Sequence, residues 1–81
     1  EQYKLLSKAI KINNTLTIIN FSFSVIGPEG CKWLCEALKI NKSLTNLNLA
    51  YTRIYSEGCE WLSEALKVNR TLINLDLRNT C

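Results

Sequence analysis

The sequence predicts an α/β solenoid: about three 28-residue helix–strand units forming a right-handed β-α superhelix, with parallel strands on the concave face and helices on the convex face. Two observations predict it. Gly30–Arg53 and Gly58–Cys81 align at an offset of 28 with 14 identities in 24 positions, and most differences are conservative, as in Ile40 to Val68 and Ser43 to Thr71. A worn third copy precedes them, with Leu6, Ala9, Asn13 and Leu16 in the places of Leu34, Ala37, Asn41 and Leu44. Each copy also changes its hydrophobic period midway: Cys31, Leu34, Ala37 and Leu38 share one helical stripe, whereas Leu47 and Leu49 alternate with Asn46 and Asn48 as in a half-buried strand.

Length explains the repetition. A chain of 81 residues is one small domain that buries only about 60% of its unfolded surface, and a lone 28-residue unit cannot cover both its apolar faces. Stacked copies supply each other's missing core. The chain therefore reads as one domain over 1–81, with repeats at about 1–29, 30–57 and 58–81.

In order, the pattern predicts helices over 3–12, 29–40 and 57–68, and strands over 18–21, 46–49 and 74–77. Gly27 precedes Pro28, a good first-turn residue, and Ser56 is placed to cap the third helix. Glu29 and Glu57 suit the positive helix ends. Asn13, Asn41 and Asn69 follow the helical runs, where asparagine can take the left-handed conformation. No leading Met and no N-cap precede the first helix, and Cys81 stops just after a strand, so the sequence reads as a piece of a longer solenoid. Its uncapped ends predict end-to-end self-association or marginal stability.

The segments from Leu44 to Ile54 and from Leu72 to Thr80 resemble the leucine-rich repeat pattern L-x-x-L-x-L-x-x-N-x-L. The 28-residue period and the helical phrase G-x-x-x-L-x-x-A-L-x-x-N resemble the ribonuclease-inhibitor-like subtype, also found in NOD-like receptors and Ran GTPase-activating proteins. The resemblance covers essentially the whole chain. It implies the solenoid and, in those two groups, ligand sensing or autoinhibition, or regulation of a small GTPase. One departure stands out: Ser24, Thr52 and Thr80 occupy the position at which the pattern carries Asn. A hydroxyl can also bond loop backbone, which predicts a buried Ser/Thr ladder.

Candidate chemistry is sparse. There is no His, Asp76 is the sole aspartate, and no nucleophile elbow or phosphate loop is present, so the chain is not read as an enzyme and no cofactor is expected. Four cysteines occur without a C-x-x-C pair and with no histidine, which argues against metal. Cys31 and Cys59 occupy equivalent positions on helices expected about 8–10 Å apart, beyond the roughly 7 Å that a disulfide spans, so they are expected as reduced core residues. Cys81 is expected as an exposed thiol. Free thiols indicate a cytoplasmic location.

The N-x-S/T triplets at Asn13, Asn20, Asn41 and Asn69 mostly coincide with helix ends, which favours structure over glycosylation. Trp33 and Trp61 are expected as filler between helices. The lysines form a solvated convex face with Glu36–Lys39 and Glu64–Lys67 pairs. A net charge of +3 is modest for a nucleic-acid binder, and no apolar run approaches the roughly 18 residues that cross a bilayer.

Function falls to the strand face. Ile19, Phe21, Leu47, Leu49, Leu75 and Leu77 are predicted to point inward. The outward grid is Ile18, Asn20 and Ser22; Asn46, Asn48 and Ala50; Asn74, Asp76 and Arg78, bordered by Phe23, Tyr51 and Asn79 with Arg53 nearby. The predicted activity is a protein-protein interaction module that binds a protein ligand through Asn20, Asn46, Asn48, Tyr51, Asn74, Asp76 and Arg78. The alternative is a structural spacer, in which those residues are only a polar outer face.

Overall fold

The computed structural model describes residues 2–80. The elements are α1 (Gln2–Ile12), β1 (Ile18–Asn20), α2 (Gly27–Leu38), β2 (Asn46–Asn48), α3 (Tyr55–Val68) and β3 (Asn74–Asp76). The strands form one parallel sheet in the order β1-β2-β3, in which every residue pairs with its counterpart 28 positions on: Ile18 with Asn46 with Asn74, and Ile19 with Leu47 with Leu75. The helices pack side by side behind the sheet, α1 on α2 and α2 on α3. This is the predicted α/β solenoid.

The core is what each repeat lends its neighbour. Cys31, Leu34, Cys35 and Leu38 from α2, Leu44, Leu47 and Leu49 from the β2 segment, and Ile54, Leu62 and Ala65 from the next unit are all buried. Tyr3, Ile19, Phe21, Leu75 and Leu77 pack around them, half-buried. The first turn of α3 requires Gly58: a Cβ there would lie 2.6 Å from the Cβ of Ile54, the N-cap of the same helix, while its carbonyl accepts the Cys31 thiol of α2 at 3.4 Å. Thr52 and Thr80 are buried, and the Thr52 hydroxyl donates to the Leu49 carbonyl, closing the loop from inside. Ser24 is only half-buried.

Three local expectations are corrected. Ser56 does not cap α3; the helix begins one residue earlier, Ile54 takes the N-cap position, and no side chain caps it. The entry is made by left-handed backbone instead, at Gly27 (φ 73°) and at its counterpart Tyr55 (φ 58°). Helix α2 likewise starts and stops two residues ahead of the predicted span, because its last turn tightens until the Ile40 and Asn41 amides share the Ala37 carbonyl.

Second, Asn13, Asn41 and Asn69 are absent from the left-handed residues, and Asn69 is extended, with φ −68° and ψ 134°. Each uses its side chain. The Oδ1 atoms of all three accept the amides two and three residues on, and Asn41 Nδ2 donates back to the Ile10 and Asn13 carbonyls at 2.8 and 3.0 Å, as Asn69 Nδ2 does to Leu38 at 2.8 Å. Asn41 and Asn69 thereby staple each repeat to the one before it.

Third, Ala50 is buried rather than part of the outer grid. Each strand ends one residue sooner than predicted, for a reason given below.

Cys31, Cys35 and Cys59 are free thiols, and Cys81 lies outside the described residues. Cys31 and Cys35 Sγ lie 3.8 Å apart. The hydrogen bond that Cys35 shares with Cys31, with burial adding to it, pushes the Cys35 thiol far up, so it stays protonated. Asn41 is buried with its amide engaged, which leaves no room for a glycan.

Candidate interaction face

Three rows cross the strands. The first is Ile18, Asn46 and Asn74, in register. Ile18 and Asn74 are exposed, and Asn46 Oδ1 accepts the Thr45 hydroxyl at 2.9 Å. Together with their neighbours they line a shallow cleft of about 590 Å³ that runs over all three strands to Arg78.

The second row is Asn20, Asn48 and Asp76. Here the structure assigns a task that the sequence reading missed. Each side chain accepts the amide two residues ahead, at 2.8 Å from Ser22, 2.9 Å from Ala50 and 3.1 Å from Arg78. Each turn diverts one amide from the ladder, which ends the regular strand at these residues, although the Phe21, Phe23, Leu49 and Tyr51 amides still donate to carbonyls of the next repeat. Asp76 also holds the Arg78 guanidinium, with Nη2 to Oδ2 at 2.8 Å. The Arg78 side chain, and then its amide, hold the Asp76 carboxyl below the usual range, while Asp76 raises Arg78. Both charges are in solvent, so the pair fixes geometry more than stability.

The third row is Phe23, Tyr51 and Asn79, all left-handed at φ 66°, 60° and 53°. Asn79 suits that backbone, whereas a bulky ring there costs about 1–2 kcal/mol. The two rings nonetheless stack face to face, with centroids 4.6 Å apart and planes 7° from parallel. Phe23 is 75% exposed and Tyr51 44%. Tyr51 was expected in the site; its partner Phe23 was expected only at the border. The signal available was the 28-residue spacing to Asn79, which marks a left-handed position.

Of the seven expected site residues, Asn20, Asn46, Asn48, Asn74, Asp76 and Arg78 line the cleft, with the Oδ1 atoms of Asn20, Asn48 and Asp76 also committed to turns, whereas Tyr51 lies outside its lining, stacked on Phe23. On the helical side the tryptophans are half-buried, with Lys4 Nζ 5.3 Å above Trp33 and Lys32 Nζ 5.2 Å above Trp61. This cation–π pairing repeats at the 28-residue step. Lys39–Glu36 and Lys67–Glu64 pairs form at 3.7 and 3.1 Å. Among the described residues, no three Cys, Asp or Glu side chains meet as a metal site, and no helix is long and apolar enough to cross a membrane.

Stacked helix–strand units with a parallel sheet along one face define a solenoid repeat protein. A model of the Leucine Rich repeat matches residues 13–35 and 41–63, more than half of the chain. The protein belongs to the leucine-rich repeat family. A similar solved structure is the leiomodin-1 actin-binding site 2, with a TM-score of 0.90 and 24% identity over 96% of this chain. The match spans 45% of that chain, and the likeness is one of fold. No curated protein matches.

Proposed function

We propose that the strand face is a binding surface for a protein ligand, with the Phe23–Tyr51 stack as its anchor. The observation that supports this reading is the cost of that stack: two aromatic rings sit in solvent on left-handed backbone where Asn79 shows the cheaper residue. Exposed, preorganised aromatics beside a cleft lined by amides suit a polypeptide, whose backbone pairs with Asn46 and Asn74 and whose apolar side chains cover the rings. Arg78, held by Asp76, closes one end. The ribonuclease-inhibitor-like subtype, a cytoplasmic setting and a place within a longer solenoid are parts of the same proposal.

The spacer reading is favoured by the turns of Asn20, Asn48 and Asp76, which give polar outer residues a purely structural use. One variant separates the two. Phe23→Asn with Tyr51→Asn installs the residue of the third repeat and keeps the backbone. Actin, which leiomodin's site is named for, is the first protein to titrate. Under the binding proposal affinity falls at least about tenfold, a loss of ~1.4 kcal/mol, with the fold unchanged by circular dichroism. Affinity equal to wild type would place the ligand elsewhere and leave this face a spacer.

A further inference from the structure

The middle row of the strand face offers donors and, among the described residues, no free acceptor. A backbone amide can only donate, so the Asn20 atom that faces the Ser22 amide and the Asn48 atom that faces the Ala50 amide are Oδ1, and each Nδ2 is turned away from its turn. Neither Nδ2 meets an acceptor among the described residues. The third member, Asp76, has no donor, and its oxygens are taken up by Arg78: Oδ1 accepts the amide and Nε, each at 3.1 Å, and Oδ2 accepts Nε at 3.2 Å and Nη2 at 2.8 Å. That clasp engages one edge of the guanidinium and leaves Nη1 open. Asn20, Asn48, Asp76 and Arg78 all line the cleft.

The exchange in the third repeat is compensated. Ser22, Ala50 and Arg78 are counterparts at the 28-residue step, as are Asn20, Asn48 and Asp76, so the acid enters together with the one basic residue of its neighbouring series. Making the turn does not call for this, because a carboxylate in solvent accepts an amide unaided. The arginine covers the acid and restores N–H groups where the row would have lost them. This face is turned away from the direction in which repeats stack, so a further repeat on either side lengthens the row and does not cover it.

Resting on the reading of the strand face as a binding surface, we infer that the segment it takes is acidic: an extended polypeptide whose carboxylates accept from Asn20, Asn48 and Arg78 and whose apolar side chain covers the Phe23–Tyr51 stack. Carboxylate oxygens only accept, and hydrogen bonds to a charged group are the strong ones. A lysine or arginine of the ligand would set N–H against N–H and leave both unpaired. Charge agrees in sign. Asp76 is the only acid among the cleft residues and is already paired, Arg53 is exposed two residues beyond Tyr51, and the chain carries +3. Neutral amides with a single guanidinium suit carboxylates spaced along a peptide, whereas the continuous charge of a nucleic acid calls for a run of lysines and arginines.

Asp76 supplies the test, since it shows that a carboxylate makes the same turn. Asn20→Asp with Asn48→Asp keeps both amide acceptors and reverses the row from donors to acceptors. Synthetic peptides that share a central leucine and differ only in flanks of glutamate, glutamine or lysine are titrated by fluorescence anisotropy. Wild type binds the glutamate peptide at least about tenfold more tightly than the glutamine peptide, and the lysine peptide least. The double variant, folded as wild type by circular dichroism, loses that preference or turns it toward lysine. Arg78→Gln, at an exposed site, uncovers Asp76 and weakens the glutamate peptide as well. Equal affinity for all three peptides, with release from the chain carrying Phe23→Asn and Tyr51→Asn, keeps the binding face and overturns its acidic preference. A glutamate preference that survives Asn20→Asp with Asn48→Asp overturns it too, as does a single-stranded oligonucleotide that binds more tightly than the glutamate peptide and displaces it. Absence of binding by all three peptides overturns the acidic preference and leaves the face itself to be decided by the actin titration.

Discussion

Left-handed backbone is the dearest local feature of this chain, and it recurs at fixed places. Gly27 and Tyr55 open helices α2 and α3 with φ of 73° and 58°, and only the glycine does so freely. The Tyr55 ring is exposed, so it regains little by packing. Tyr55→Gly removes a penalty of about 1–2 kcal/mol while adding about 0.5–1 kcal/mol of unfolded-state entropy, a net gain of about 0.5–1 kcal/mol. Urea unfolding reads this as a higher midpoint at an unchanged slope. Phe23 and Tyr51 carry the same backbone cost, but their rings stack on each other, which separates a rim built for contact from a helix start that merely tolerates its residue.

At the scale of the element, helices and strands were legible because their periods are set by which face meets the core, and Leu34, Leu38, Leu47 and Leu49 declare that face directly. Their ends were not. The start of α3 depends on a backbone dihedral that Tyr55 does not advertise, and the strand ends depend on Asn20, Asn48 and Asp76 turning back on their own chain. The strand register places Asn20, Asn48 and Asp76 in one row, and the use of their side chains in turns is not legible from alternation alone. Asn13, Asn41 and Asn69 are legible as punctuation, yet the carbonyl partners of Asn41 and Asn69 lie up to 31 residues away, where no local rule looks. Their worth is graded by burial. Asn41→Ala strands buried amides and carbonyls and costs about 2–4 kcal/mol. Asn69→Ala costs less, and Asn13→Ala, at an exposed turn, least. Equal losses in chemical denaturation would refute the graded role.

At the largest scale, burial among the described residues is concentrated in the middle. There the α2 and β2 unit packs against a described neighbour on both sides, and the first and third units against one each. Equivalent substitutions should therefore differ: Leu38→Ala costs about 2–5 kcal/mol, and Leu66→Ala, at a half-open site, under about 1 kcal/mol in the monomer. Thermal unfolding measured at low concentration checks the pair, and near-equal losses would show that the ends are as well packed as the centre.

The register of the sheet, in which every residue meets its own counterpart, bears on how such a chain arises. A unit whose leading edge fits its trailing edge can be copied in the gene without any fresh surface having to evolve, since the duplicate inherits both halves of the joint. Length then becomes a quantity that selection can adjust by whole turns. Differences such as Tyr51 against Asn79, or Lys32 against Glu60, record what each copy was free to become once its place in the row was assured.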